Sequence, residues 1–411
     1  MRVTQTLNQL QFIASLNTLE SNLAQTQNQI SSQLSFTTPS QNPVAAGAVD
    51  GYNQSLAQAT QYDTNANSAQ TALGTEDNAM SQVQTALQSL RDLALQANSG
   101  ALTAADRSSI ATQAKQIQAT LVSLANTQDG NGEFIFGGYT TQTQPFSLSV
   151  TGATYAGDLG QRQVPISAGQ SVAIGDSGAA VFNQIPTGNG TFTATAASGN
   201  TGTGVLGATT VSNAAAYDGK PYSIKFALTT SPSGVVTTTY NILDSTGAVV
   251  TPGAPVPGAA YTSGQAISYD GGQLTLTGQP ANGDTFNVAP STNQSVFTTV
   301  QNLVTSLQAG GSSSTSNAQL NNSIAGFLNN VDQALNQVSN VRSGIGGRLN
   351  SITTQLSVSS SQQIQLKTSI ASLQGLDYAS ALTKLTLQQT ALTASMQAYT
   401  LTQGLSLFKY I

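Results

Sequence analysis

Residues 385–411 read LTLQQTALTASMQAYTLTQGLSLFKYI. Leu387, Ala391, Ala394, Ala398, Leu401, Leu405 and Phe408 recur at alternating intervals of four and three, the spacing of a coiled-coil seam. Leu385, Leu392, Met396 and Tyr399 form a second apolar stripe beside it. A helix that is apolar along two lines needs covering along both. The opposite end of the chain repeats the pattern. In residues 1–35, Phe12, Leu16, Leu19, Leu23, Thr26 and Ile30 keep the same rhythm, and Val3, Leu7, Leu10 and Ala14 run parallel to them. Pro39 and Pro43 then interrupt the helix.

The two terminal helices are therefore expected to pair. A pair of helices buries one seam per helix and leaves the other wet, which soluble monomers seldom tolerate over a long band. One covering is an ordinary bundle core that uses both faces. The other, which we favour, is a neighbouring subunit in a polymer, the second stripe meeting the next copy through an open head-to-tail contact. Residues 1–49 carry only Arg2 and Glu20 as charges, and residues 371–411 only Asp377, Lys384 and Lys409. Faces so poor in charge suit a crowded assembly, where repeated like charges would repel. The candidate assembly seam comprises Leu7, Leu10, Leu16, Leu19, Leu23 and Ile30 with Leu387, Leu392, Met396, Tyr399, Leu401, Leu405 and Phe408.

Further in from each end the helical period continues. Met80, Val83, Leu87, Leu90, Ala94 and Ala97 predict a helix opening at Thr75 as N-cap. Gly100 closes it, and Thr103 with Asp106 resembles a capping box before Ile110, Ala114, Ile117, Leu121 and Leu124. Between about 131 and 290 the period changes to two. PYSIKFAL (221–228), TTTYNIL (237–243), GQLTLTG (272–278) and GDTFNVA (283–289) alternate and are separated by Gly/Pro turns. Helix resumes near 292, is interrupted by GGSSSTSN (310–317), and runs on through Ile324, Leu328, Val331, Leu335, Val338, Ile345, Leu349, Ile352 and Leu356.

The predicted class is α+β. Long coiled-coil-like helices from both termini form an elongated bundle, with an antiparallel β domain inserted at its tip. The expected division is a terminal coiled-coil domain (1–42 and 375–411), an inner helical domain (43–146 and 291–374), a β segment of open membership (147–183) and an outer β domain (184–290).

Composition narrows the function. The 411 residues include no Cys, His or Trp, and 12 basic against 17 acidic residues. Without His or Cys, the usual general base, the commonest metal ligands and the thiol nucleophile are missing. No catalytic residues, cofactor or metal are expected. No basic patch suggests nucleic acid, and no apolar run reaches the roughly 18–20 residues that cross a bilayer. Residues 1–20 lack the continuous apolar core of a signal peptide. DGNGE (129–133) is too short for a calcium loop and reads as a turn. Asp270 and Asp284 sit in DGG and NGD, which are turn sequences rather than a glycosidase pair.

Several stretches resemble the bacterial flagellin superfamily. They are MRVTQTLNQLQFIASLNTLESNLAQTQNQISS with PSQNPVAA, LRDLALQANSGALTAADRSSIATQAKQI, VRSGIGGRLNSI (341–352) and DYASALTKLTLQQTALTASMQAYTLTQGLSLFKYI (377–411). NGEFIFGGYTTQTQPF (131–146) is more similar to the hook–filament junction members than to filament flagellin. Gln41, Asn42 and Lys409 stand where members usually carry acidic residues. The resemblance implies a structural adaptor of the bacterial flagellum, exported through the flagellar channel without a cleaved signal. It would form a homo-oligomeric ring between the first hook-associated protein and flagellin, with an export chaperone on the C-terminal helix beforehand. Filament flagellin, or a secreted adhesin on a coiled-coil stalk, are the alternatives. Gly344, Gly346 and Gly347 interrupt a heptad run. They are read either as close packing against a neighbouring helix or as a bend that adapts one lattice to the next.

Overall fold

The computed structural model describes residues 2–99, 102–250 and 258–404. Among the described residues the α-helices are α1 (Arg2–Ser32), α2 (Pro43–Ala97), α3 (Ala104–Ala125), α4 (Val296–Ala309), α5 (Ser314–Gln374) and α6 (Tyr378–Gly404), with a short π-helix at Ala179–Asn183. The strands all fall between α3 and α4. They are β1 (Phe146–Ser149), β2 (Gly152–Tyr155), β3 (Gln163–Ser167), β4 (Gln170–Ala173), β5 (Ile185–Pro186), β6 (Phe192–Ala196) and β7 (Val205–Val211). After these come β8 (Tyr222–Thr230), β9 (Val236–Leu243), β10 (Ala259–Ala260), β11 (Ala266–Tyr269), β12 (Gly272–Thr277), β13 (Thr285–Pro290) and β14 (Asn293–Gln294). The class is the α+β arrangement read from periodicity: helices from both ends and an inserted antiparallel β region.

The chain divides into two compact units, residues 1–65 with 353–411 and residues 66–352. In the larger unit, one face of α2 is closed almost completely. Leu73, Met80, Leu87, Leu90 and Ala94 have no more than 1% of their surface exposed. Val331, Val338, Ile345 and Ile352, none more than 3% exposed, do the same for α5. Ion pairs Arg91–Asp332 (2.8 Å) and Arg342–Asp77 (2.8 Å) set α2 and α5 antiparallel. Buried Arg107 of α3 donates to the Gly310 and Gly311 carbonyls, which joins the GGSS turn to the bundle.

The β region of this unit holds a five-stranded antiparallel sheet, ordered β10-β9-β8-β13-β6, and a three-stranded one, ordered β11-β12-β7. Their shared core contains Phe192, Ile224, Phe226, Leu274, Leu276 and Phe286. Strands β8, β9, β12 and β13 are the four alternating segments expected from sequence. Asp284 is buried, and its carboxylate accepts hydrogen bonds from the amides of Thr201, Gly202 and Ala281. It is a turn staple, as its NGD context suggests. The Asp129 carboxylate likewise accepts from the amides of Asn131 and Glu133 within its own turn.

Two sequence expectations need correction. Thr75 opens no helix: α2 is continuous from Pro43, and the Thr75 hydroxyl donates back to the Thr71 carbonyl at 3.1 Å. Buried Ala66, Ala69 and Leu73 extend the apolar face N-terminal to it. Pro43 starts α2 instead of merely breaking a helix. It occupies the first turn, where a missing N–H costs nothing, and the Asn42 side chain accepts from the Ala45 amide. Helix α5 continues from Ser314 to Gln374 through the GIGG run. A methyl group added at Gly346 or Gly347 would meet nothing within 4 Å, and one at Gly344 only the Arg348 side chain at 3.6 Å. These glycines are therefore not required by close packing within the chain.

Candidate assembly surface

The smaller unit is built on α1, α6 and the adjoining parts of α2 and α5. Gln33 adopts a left-handed conformation (φ 62°) and ends α1. Its carbonyl then accepts from the Leu376 amide, Ser35 N donates to Gln374 O, and Leu34 bridges Gly375. These bonds tie the end of α1 to the junction before α6. Asp377 caps α6, accepting from the Ala379 amide at 3.0 Å and the Ser380 hydroxyl at 2.8 Å. The Ser380 hydroxyl bond is the main reason its carboxyl lies below the ordinary aspartate value. Phe36, Ala45, Ala46 and Val49 form a small core with Ile370 against them. Gln363 donates to Asp63 at 2.6 Å.

From that joint α1 and α6 run antiparallel. At the far end Phe12 stacks on Tyr399, with ring centroids 5.2 Å apart, and the Gln9 amide donates to the Tyr399 hydroxyl at 3.1 Å. The residues of α1 turned toward α6 are Phe12, Leu16, Leu19, Leu23 and Ile30, all half-buried, with Thr26 fully buried. Those of α6 are Leu385, Gln388, Leu392, Ser395 and Tyr399. Within the chain, then, it is the second stripe of the closing helix that meets α1. The longer four–three seam is left facing out, because the aromatic stack and the Gln9 bond fix the rotation of α6.

The outward stripes are strongly exposed. Leu7 and Leu10 on α1 are 55% and 63% exposed, and Leu387 and Leu401 on α6 are 66% and 68%. Ile13, Leu382 and Met396 are also exposed, as are Ala391, Ala394 and Ala398. Full burial of a leucine contributes roughly 1.5–3 kcal/mol, so most of that gain is unrealised at these four leucines. Of the candidate seam, Leu16, Leu19, Leu23, Ile30, Leu392 and Tyr399 lie in the helix pair, and Leu7, Leu10, Leu387, Met396 and Leu401 lie outside it. Leu405 and Phe408 fall outside the described residues. Apart from Lys384, the polar groups between the outward side chains are uncharged Thr, Gln and Asn. Their hydroxyls are largely turned back onto the helix, as at Thr386, Thr390 and Thr393. Such a surface can bury apolar area while desolvating little charge. It offers no chemistry beyond association: among the described residues no group of acidic side chains could hold a metal ion.

Sequence reasoning missed the division of labour between the stripes. The signal available was Phe12 near the start of α1 with Tyr399 near the end of α6, two aromatics that an antiparallel pairing brings face to face.

Comparison with known proteins gives the following. Residues 3–141 match the model of the bacterial flagellin N-terminal helical region, and residues 328–411 that of the bacterial flagellin C-terminal helical region. Flagellar hook-associated protein 3 of Salmonella typhimurium is 36% identical over 157 residues, 38% of this chain and 49% of that protein. The aligned part thus spans about half the length of the curated relatives it matches. The crystal structure of flagellar hook associated protein-3 from Legionella pneumophila superposes with a TM-score of 0.72 at 31% identity, covering 79% of this chain and 98% of that one. FlgL of Xanthomonas campestris gives 0.70 at 31% identity, with 78% and 99% covered.

Proposed function

The chain belongs to the flagellar hook-associated protein 3 family of the flagellin superfamily, and from that premise we propose that it is a structural adaptor of the bacterial flagellum. It forms a homo-oligomeric ring at the hook–filament junction, between the first hook-associated protein and flagellin. It reaches that position by export through the flagellum, after a chaperone has covered its C-terminal helix. Residues 1–42 and 375–411 build the tube-lining part, 43–146 and 291–374 the inner helical part, and 184–290 carry the outward β part, with 147–183 as a bridging segment. The role is mechanical, without catalysis. Gly344, Gly346 and Gly347 allow α5 to bend where one lattice gives way to the next.

The observation that carries this reading is the outward apolar stripe of the terminal pair, Leu7, Leu10, Leu387 and Leu401, on helices nearly free of charge. Association of identical or related helices is the process that would cover it. The test is complementation of cells lacking the protein with a Leu387→Asp/Leu401→Asp variant. The expected result is secreted but unattached flagellin and loss of swimming, with the purified variant melting like wild type. Attached filaments and normal swimming would refute the assignment of the surface. Gold labelling of intact wild-type cells should mark one narrow zone; labelling along the whole filament would identify a filament subunit instead.

A further inference from the structure

Strand β6 is the last strand of the five-stranded sheet, and its free edge is unusually placed. The ladder to β13 is in phase at Thr191 and Ala197: Ser291 N donates to Thr191 O at 2.9 Å, and Ala197 N donates to Thr285 O at 3.0 Å. Alternation along an antiparallel pair then points the N–H and C=O groups of Ala194 and Ala196 away from β13. The carbonyls at either end of this outer edge are occupied. Phe192 O accepts from Asn189 N at 3.1 Å, and Ser198 O accepts from the Gln319 side chain at 3.3 Å. Between them, Ala194 and Ala196 have no partner among the described residues. Exposed strand edges are ordinarily paired, covered or guarded by charge; no charged side chain guards this one.

The edge opens into a groove of about 610 Å³, within the range of ligand-binding sites. Residues 193–198 of β6 and its extension form one wall, and Asn302 and Ser306 of α4 the other. Leu320, Gly326 and Phe327 of α5 line its floor. No Lys, Arg, Asp or Glu lines it. Helix α5 is anchored to the β region along the groove, by Gln319 to Ser198 and Asn200, by Asn322 to the Leu206 amide and the Gly204 carbonyl, and by Asn330 to the Gly188 amide at 2.7 Å. The stretch of α5 from Asn322 to Asn330 rises roughly 12 Å, the length of three to four residues of extended strand. Gly326 deepens the floor, since a methyl group there would meet nothing within 4 Å.

We propose that this groove binds an extended, uncharged polypeptide segment of a partner protein, which pairs with β6 through the backbone of Ala194 and Ala196. The backbone edge dictates a strand, and the neutral walls dictate a segment rich in Thr, Ser, Ala or Asn. A neutral oligosaccharide is the competing occupant, but the floor's aromatic ring, Phe327, is only 3% exposed and offers no stacking platform.

The test uses the intact chain, deuterated and ¹⁵N-labelled, titrated with an acetylated and amidated peptide copying Gly272–Thr277, which is uncharged and forms strand in this protein. Saturable shifts are expected at the Ala194 and Ala196 amides and at the Asn302 side chain. An N-methylated version of the peptide, with no N–H to donate, should bind about tenfold more weakly or worse. Ala196→Pro removes only an outward N–H on an edge strand, where proline is tolerated, and Gly326→Leu fills the floor. Each should lower affinity by about tenfold while leaving thermal unfolding near that of wild type. The proposal is overturned if no saturable shift occurs at millimolar peptide, or if the N-methylated peptide binds equally well. It is also overturned if maltotriose, and not the peptide, moves these resonances.

Discussion

The α2–α5 bundle of residues 66–352 and the α1–α6 pair of the terminal unit are made from the same kind of sequence, with opposite results. Both follow the four–three rhythm with polar faces of Gln, Asn, Ser and Thr. In the bundle, Leu73, Met80, Leu87 and Leu90 are exposed by no more than 1%. In the terminal pair no leucine facing the partner helix is better than half-buried, and Leu387 and Leu401 remain about two-thirds exposed. The bundle helices have neighbours on several sides and ion pairs, Arg91–Asp332 and Arg342–Asp77, to set their register. The terminal helices pair with each other and are aligned by the Phe12–Tyr399 stack, the Gln9 bond and the backbone bonds of Gln33 and Ser35 at the joint. One rhythm therefore serves two purposes, a closed core where the chain supplies all the walls and an unfinished one where it supplies only one.

That contrast can be broken by substitution. The largest expected effect is in the bundle: Leu87→Ala should lose about 2–5 kcal/mol, read as a lower midpoint in chemical denaturation. A loss below about 1 kcal/mol would mean the bundle is as loosely closed as the termini.

Next in size is a pH effect confined to the bundle unit. Glu76 of α2 is buried; its Oε1 accepts from the Asp176 amide at 3.0 Å, and Oε2 has no hydrogen-bond partner. Burial, and then the negative charge of Asp176, push its carboxyl from 4.5 up to about 8. Arg348 and Gln161 both bind the Asp176 carboxylate beside Glu76. The folded state therefore binds a proton that the unfolded state releases. This contribution to stability is complete below pH 4.5 and declines as pH rises to about 8. Melting temperature should fall between pH 5 and 8, and Glu76→Gln should flatten that decline. A variant with the wild-type pH profile would contradict the assignment.

A smaller loss is expected at the terminal pair. Tyr399→Ala removes the stack on Phe12 and the Gln9 bond, and should lower the helical signal of the isolated chain by an amount equivalent to about 1 kcal/mol. Proteolysis should then cut within residues 1–32 sooner than in wild type, and an unchanged digestion pattern would show that the stack does not hold the pair. Smallest of all is the effect of Leu387→Asp on the free chain, within about 0.5 kcal/mol because the site is exposed. A large destabilisation would mean that Leu387 is covered within one molecule, and the contrast between the two regions would vanish.

Much of this was legible in residue spacing. The helix–β–helix order, strands β8, β9, β12 and β13, and the Thr103–Asp106 capping box with its reciprocal bonds all follow from local pattern. Local chemistry also misled. Thr75 with Glu76 and Asp77 looks like a helix start, yet Glu76 is buried against Asp176 and Asp77 pairs with Arg342. Both acids have partners far along the chain, which capping rules cannot see. GIGG is one turn of weak propensity, yet α5 runs through it, carried by buried Ile345 within the run and Val338 and Ile352 on either side.

By itself the sequence determined that the termini are helical, apolar on two sides and almost uncharged, and that the centre is antiparallel β, because period and turn chemistry are local properties. Only the tertiary structure decided which stripe of α6 meets α1, which carboxyl is buried at Glu76, and that the edge of β6 opens beneath α5. Those outcomes depend on how helices are rotated and which distant groups are brought within hydrogen-bonding reach. Rotation and approach are set by the packing of whole elements, for which no single stretch of residues carries the information.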